Sequence, residues 1–221
     1  MAKYRSVFDI IGPIMIGPSS SHTAGAARIG RVARHIFGNQ PDKAIITLYG
    51  SFAQTYRGHG TDVAIVGGLL NFDTDDDRIP QSLQLAEELG MAVTFFTSDD
   101  VPTHPNTARI RLVKGERALE VVGISVGGGK IEIVEVNGFE LEFTGENAAL
   151  LVLHEDRFGM IAKVCTILAN HEINIGQMKV ARKEKGKEAM MLIEVDQNMD
   201  ESLLREIEEI PYIRGVCRIE E

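Results

Sequence analysis

The stretch from Ala148 to Glu221 carries the pattern that leaves the fewest folds open. Ala149 to His154 is an apolar run of strand length, and Asp156-Arg157-Phe158-Gly159 reads as a turn. Met160, Ile161, Val164, Ile167 and Leu168 then recur at helical spacing as far as Asn170-His171. Ile173 to Ala181 and Ala189 to Val195 are strands, joined by a charged, glycine-containing hairpin from Arg182 to Glu188. Leu203 to Ile210 is an amphipathic helix, and Ile213 to Ile219 is a last strand. The order βαββαβ in so short a stretch predicts the ferredoxin-like split unit. Cys165 falls on the apolar side of its helix and reads as core.

A chain of 221 residues is long enough for a second core. The change of pattern places a linker near Thr144 to Asn147, separating a first domain over 1–145 from the second over 148–221. The first domain mixes helices and strands, so the expected class is α/β (α+β). Ser6 to Ile11 is a strand or a short helix. Ile14, Met15 and Ile16 form a short apolar run read as a strand end, stopped by Gly17-Pro18. From Thr23 a helix is marked by Ile29, Val32, Ala33, Ile36 and Phe37, with Arg28, Arg31, Arg34 and His35 off that stripe and Gly38-Asn39 ending it. Lys43 to Tyr49 is a β-branched strand, and Val63 to Leu70 an apolar helical run. Pro80 opens a short helix with Leu83, Ala86 and Leu89 on its apolar face, and Met91 to Phe96 is a strand. Strands follow over Ala108 to Val113, Leu119 to Ser125, Lys130 to Val136 and Phe139 to Phe143, with turns at Lys114-Gly115-Glu116 and Asn137-Gly138. Gly127-Gly128-Gly129 suits a bulge or a floor that lets a ligand near the backbone.

Three loops of this domain concentrate polar chemistry. Gly17-Pro18-Ser19-Ser20-Ser21-His22-Thr23 sets hydroxyls and an imidazole at a helix N-terminus, where unpaired amides and the helix dipole favour an anion such as a carboxylate. Gly58-His59-Gly60-Thr61-Asp62 leaves an imidazole uncrowded between glycines. Asp62 and Thr61 each suit two roles, capping the next helix or orienting the ring. His104-Pro105-Asn106-Thr107 places a third histidine in a turn, with Pro105 holding His104 extended. The acidic loop Asp73 to Arg78 lacks the spacing of a calcium loop.

Composition narrows the partners. A net charge of −9 argues against nucleic acid or an anionic membrane surface. No long apolar run follows Met1-Ala2-Lys3-Tyr4-Arg5, so a reduced, cytoplasmic protein is expected. Two cysteines, Cys165 and Cys217, cannot by themselves hold an iron–sulfur cluster or a structural zinc.

The phrase Leu153-His154-Glu155-Asp156-Arg157-Phe158-Gly159-Met160 and the strand opening Asn174-Ile175-Gly176 resemble the ACT regulatory domain. That resemblance covers 148–221. It implies an effector site in which Gly159 admits an amino acid to the helix N-terminus, with Asp156, Asn174 and Ile175 nearby, and homotypic contacts between ACT domains. The three loops of the first domain, together with Gly50-Ser51-Phe52-Ala53, resemble in order the β portion of bacterial iron–sulfur-dependent L-serine dehydratase, from about Ser6 to Gly129. That resemblance implies a separate α subunit carrying a [4Fe–4S] cluster, no metal ligand on this chain and no pyridoxal phosphate. The implied reaction converts L-serine to pyruvate and ammonia. His59 is then the expected base for the Cα proton, with Asp62 orienting it and His22 sharing the site. Ser19, Ser20, Ser21 and Thr23 are expected to hold the substrate carboxylate, and His104, Asn106 and Thr107 to contact the substrate. The first domain is also similar to the allosteric substrate-binding domain of some phosphoglycerate dehydrogenases. On that alternative the chain is a regulatory module for an anion or amino acid, with no catalytic residues of its own.

Overall fold

A computed structural model describes residues 13–219. The expected element at Ser6 to Ile11 lies outside the described residues. The chain divides into two compact units: one runs to Asn137 and takes in Glu142–Thr144, and the other comprises Gly138–Leu141 and everything from Gly145.

In the first unit, a π-helical turn over Ser20–Ala24 runs into α1 (Gly25–Phe37). The strands are β1 (Lys43–Tyr49), β2 (Ala92–Ser98), β3 (Asn106–Lys114), β4 (Arg117–Gly127) and β5 (Lys130–Val136), and the same sheet takes in β6 (Phe139–Phe143), whose residues are divided between the two units. Between β1 and β2 lie α2 (Gly50–Thr55), α3 (Thr61–Leu69) and α4 (Ser82–Glu88), the last entered through a 3-10 turn at Ile79–Gln81. The sheet order is β2-β1-β3-β4-β5-β6. The β1–β2 pair is parallel, as its helical crossover requires, and β3 runs antiparallel to β1 and to β4. Alternation along β1 sends Ala44, Ile46 and Leu48 into the core, where Ala108, Ile110 and Leu112 of β3 oppose them.

α1 is amphipathic, burying Ile29, Val32, Ala33, Ile36 and Phe37. α3 is apolar nearly all round and sits inside the core, with Ala64, Ile65, Val66 and Leu69 fully buried. The two helices touch backbone to backbone through glycines. A Cβ on Gly68 would lie 2.0 Å from the Ala27 carbonyl oxygen, and one on Gly30 would lie 2.2 Å from that of Ile65. No larger side chain allows this approach.

Several expected features differ. Ile14–Ile16 is not a strand: Ile14 is 83% exposed, and the segment is tied down by Thr74. Thr74 Oγ1 donates to the Ile14 carbonyl, and the Ile16 N–H donates to the Thr74 carbonyl. In α4 the buried residues are Ser82 and Ala86, with Ile79 ahead of them, whereas Leu83 and Leu89 face outward. A helix of seven residues leaves its leucine spacing too short a stretch to decide which face is covered.

The second unit has β7 (Ala149–Glu155), α5 (Met160–Asn170), β8 (Ile175–Arg182), β9 (Glu188–Val195), α6 (Glu201–Glu208) and β10 (Ile213–Ile219). Its antiparallel sheet runs β10-β7-β9-β8, which is the βαββαβ arrangement expected. Leu150, Val152, Met191 and Ile193 of the central strands pack with Met160, Val164, Leu168, Leu203 and Ile207 of the helices. Asp200 caps α6 by accepting the Leu203 N–H at 2.9 Å. Two expectations are corrected on α5. Ile161 is 47% exposed, and Cys165 is a partly buried free thiol that is not among the core residues. The buried stripe runs through Met160, Val164 and Leu168, one position off Ile161 and Cys165. No helix among the described residues is long and apolar enough to cross a membrane.

Candidate active site

The first loop is built by its own serines. Ser19 has extended backbone and caps the π-helical turn, its Oγ accepting the His22 N–H at 3.2 Å. The Ser20 carbonyl accepts the Gly25 N–H five residues on, the bond that makes this turn wide. The widened turn leaves the His22 ring between hydroxyls. Its Nδ1 is 2.9 Å from Ser21 Oγ and 3.5 Å from Ser19 Oγ, and its Nε2 is 2.9 Å from Ser51 Oγ.

The second loop meets the first there. The His59 ring lies 4.9 Å from that of His22, centroid to centroid, at a tilt of 60°. The edge of Phe52 closes another side at 5.3 Å. His59 is held from its backbone: its N–H donates to the Thr55 carbonyl, and its carbonyl accepts Thr23 Oγ1 at 3.0 Å. Its Nδ1 is buried without a hydrogen-bond partner, the kind of polar atom that needs an explanation in a folded protein. Burial, and then the neighbouring His59, push the His22 imidazole below its ordinary value, so His22 is neutral at pH 7.

The third loop joins through the backbone. The Pro105 carbonyl accepts the Ser51 N–H at 2.7 Å, and Gly50 makes this possible. Gly50 has φ +51°, and a Cβ there would lie 2.6 Å from the Pro105 oxygen. His104 Nδ1 accepts the Asn106 N–H at 3.2 Å, and Thr107 Oγ1 donates to the His104 carbonyl at 2.5 Å. Asn106 Nδ2 donates to the Ser125 carbonyl at 3.3 Å. His104 Nδ1 and the Thr107 hydroxyl thus shape their own turn, while the Asn106 side chain ties the turn to β4.

Other expected roles change with the geometry. Thr23, read from the sequence as a carboxylate ligand, is buried and uses its hydroxyl to tie the first loop to the second. Asp62 does not reach His59 Nδ1; its Oδ1 accepts the Val63 N–H at 2.9 Å, at the head of α3. Ser51, to which the sequence assigned no role, is the residue that touches both the first loop, at His22, and the third, at Pro105. Its signals were its place directly after a strand end and a glycine, and its membership of the Gly50-Ser51-Phe52-Ala53 segment that shares in the family resemblance.

In the second unit the expected effector residues do not converge within one chain. The Asp156 carboxylate accepts the Gly186 N–H and faces Arg182 at the end of β8. Asn174 precedes the start of β8, donating from Nδ2 to Asp196 and from its backbone to Gln197. Ile175 opens that eight-residue strand, so the two groups are roughly 20 Å apart at the usual strand rise. Gly159, with φ +82° and open space at its Cβ position, begins α5 at the Asp156 end. Among the described residues no cluster of three or more His, Cys, Asp or Glu side chains is arranged to hold a metal ion.

Comparison with known proteins bears on both units. The family model described as "Serine dehydratase beta chain" matches residues 6–88, and that described as "ACT domain" matches residues 148–212. The chain is 59% identical to the probable L-serine dehydratase, beta chain, of Bacillus subtilis, over 98% of its own length and 99% of the relative's. It is 41% identical to the L-serine dehydratase, beta chain, of Peptoniphilus asaccharolyticus, over 90% of each. It is also 35% identical to a D-3-phosphoglycerate dehydrogenase of Methanocaldococcus jannaschii, but over 52% of this chain and only 22% of that one. Near-complete coverage at high identity, together with the paired-histidine loops inside the matched segment, shows that this chain belongs to the L-serine dehydratase β-chain family.

Proposed function

We propose that the chain is the β subunit of an L-serine dehydratase, converting L-serine to pyruvate and ammonia in company with an α subunit, in the cytoplasm. The observation that carries this reading is the meeting of His22 and His59, from two separate loops, at 4.9 Å. Dehydration needs a base for the Cα proton at neutral pH, and a neutral imidazole suits that task. His59 takes this role. Its Nδ1 is buried and unpartnered, and its backbone is held at both N–H and carbonyl, so the ring has a fixed frame from which to reach a substrate proton. His22, neutral and held at both ring nitrogens, lines the site beside it. Ser19, Ser20 and Ser21 stand at the head of the helix that the substrate carboxylate would face. Once water has left serine, the enamine product tautomerises and is hydrolysed, releasing ammonia and leaving pyruvate.

The described residues of this chain do not supply a ligand set for an iron–sulfur cluster, and its two cysteines both lie in the second unit. As the family resemblance implies, the proposal assigns a [4Fe–4S] cluster to the α subunit, where it would supply a Lewis acid to the departing hydroxyl, and it invokes no pyridoxal phosphate. Homotypic contact through the second unit also belongs to the proposal. It would let Gly159 of one copy meet Asn174 and Ile175 of another, which one chain keeps apart.

The test is anaerobic reconstitution with the α subunit and measurement of serine-dependent pyruvate formation. The pair is expected to be active and each chain inactive by itself. His59→Ala in the assembled pair is expected to lower kcat by about 10²- to 10⁴-fold, the usual contribution of a general base. Near-normal kcat removes His59 from that role, and a pair indifferent to both His59→Ala and His22→Ala makes this chain a binding module.

A further inference from the structure

We propose that Ser51 is a positioning residue of this site: its hydroxyl holds the Nε2 side of His22 and so sets the orientation of that ring. The inference rests on the function proposed above only for its kinetic consequence.

The geometry is direct. Ser51 Oγ lies 2.9 Å from His22 Nε2, while Ser21 Oγ lies 2.9 Å from Nδ1. A serine hydroxyl has one donor and two acceptor positions, and a neutral imidazole has one donor and one acceptor. Each serine therefore suits either ring tautomer, and the row Ser21–His22–Ser51 can carry its N–H on either side without breaking a bond. Ser51 is not a loose surface partner. Its N–H is fixed on the Pro105 carbonyl at 2.7 Å, and its own carbonyl accepts Thr55 Oγ1 at 2.8 Å. A shift of the third loop would thus be felt at the His22 ring through a single residue. The titratable group facing His22 is His59; its other neighbours, Ser19, Ser21, Ser51 and Phe52, are uncharged.

Losing the Ser51 hydroxyl has a signed consequence. A protonated His22 donates from both nitrogens, so removing the partner at Nε2 costs the charged ring a charge-assisted bond and the neutral ring only an ordinary one. Protonation becomes harder, and the titration of His22 moves to lower pH.

The experiment is ¹⁵N ring NMR of the full chain with labelled histidine, His22 being assigned by the signal lost in His22→Gln. In Ser51→Ala the His22 midpoint is expected to fall by about 0.5–1 pH unit, the difference between losing a charged and a neutral hydrogen bond. Ser51→Thr, which keeps the hydroxyl, is expected to titrate like the parent. In the complex with the α subunit, Ser51→Ala is expected to lower kcat on the order of tenfold with KM little changed, and Ser51→Thr to recover most of it. An unmoved His22 midpoint in folded Ser51→Ala overturns the inference. So does a raised KM with intact kcat, which would make Ser51 a substrate ligand. A parent complex inactive on serine overturns the functional reading instead, and the NMR result still decides the link between Ser51 and His22.

Discussion

The two units treat their candidate ligand residues in opposite ways. In the first, segments far apart in sequence bring Ser51 and His59 against His22. In the second, Asp156 and Gly159 stand at one end of the sheet, and Asn174 and Ile175 at the other. The difference lies in strand direction. A parallel β1–β2 pair with β3 returning antiparallel gathers the ends of β1 and β2 and the start of β3 on one edge, and all three active loops leave from it or pack on it. In the second sheet, β8 carries its first and last residues to opposite edges, so residues near its two ends cannot meet. The first arrangement assembles its own cluster of side chains within one chain, whereas a site shared between copies is expected of the second.

The contrast can be broken most severely through the cores beneath each region. Leu203→Ala removes a buried side chain between α6 and the second sheet and is expected to cost about 2–5 kcal/mol there. Hydrogen exchange should show β7, β9 and α5 opening, while α1 and α3 keep their protection. Gly68→Ala drives a methyl group into the Ala27 carbonyl and is expected to cost about 1–3 kcal/mol. Here exchange should rise in α1 and α3, and the contact between the His22 and His59 loops should loosen; spread of either effect evenly over both units would mean that they do not behave as separate cores. Thr23→Val keeps the shape of a buried side chain and deletes its bond to the His59 carbonyl. Urea titration is expected to register a loss of about 1 kcal/mol, with kcat of the assembled pair reduced several-fold.

The smallest effect is one of pH. His22 titrates below its ordinary value of 6.5 in the folded chain, so below that value the unfolded chain binds more protons. Stability is then complete above pH 6.5 and lost as pH falls through the folded-state value. Urea unfolding at pH 5.5 and 7.5 should show this loss, and His22→Gln should reduce it.

Much of the secondary structure was legible because its signals are local. Lys43–Tyr49, Lys130–Val136 and Phe139–Phe143 are strands with the bounds their β-branched and alternating residues mark. Gly38 and Gly159 sit in left-handed conformations at helix ends. Misread positions share a cause. Leu83, Leu89, Ile161 and Cys165 lie on short helices, where spacing shows that an apolar face exists but not which side a neighbour covers.

By itself, the order of residues determined where chains turn, which stretches are strands or helices, the βαββαβ unit, and that histidines, serines and glycines are concentrated in three loops. Periodicity and turn chemistry act between residues a few positions apart, and such information survives without a partner surface. Only the tertiary structure decided that Thr23 ties loops together, that Asp62 serves α3, and that Ser51 is the neighbour of His22. Those facts depend on strand order and on the glycine contacts between α1 and α3, which join positions far apart along the chain.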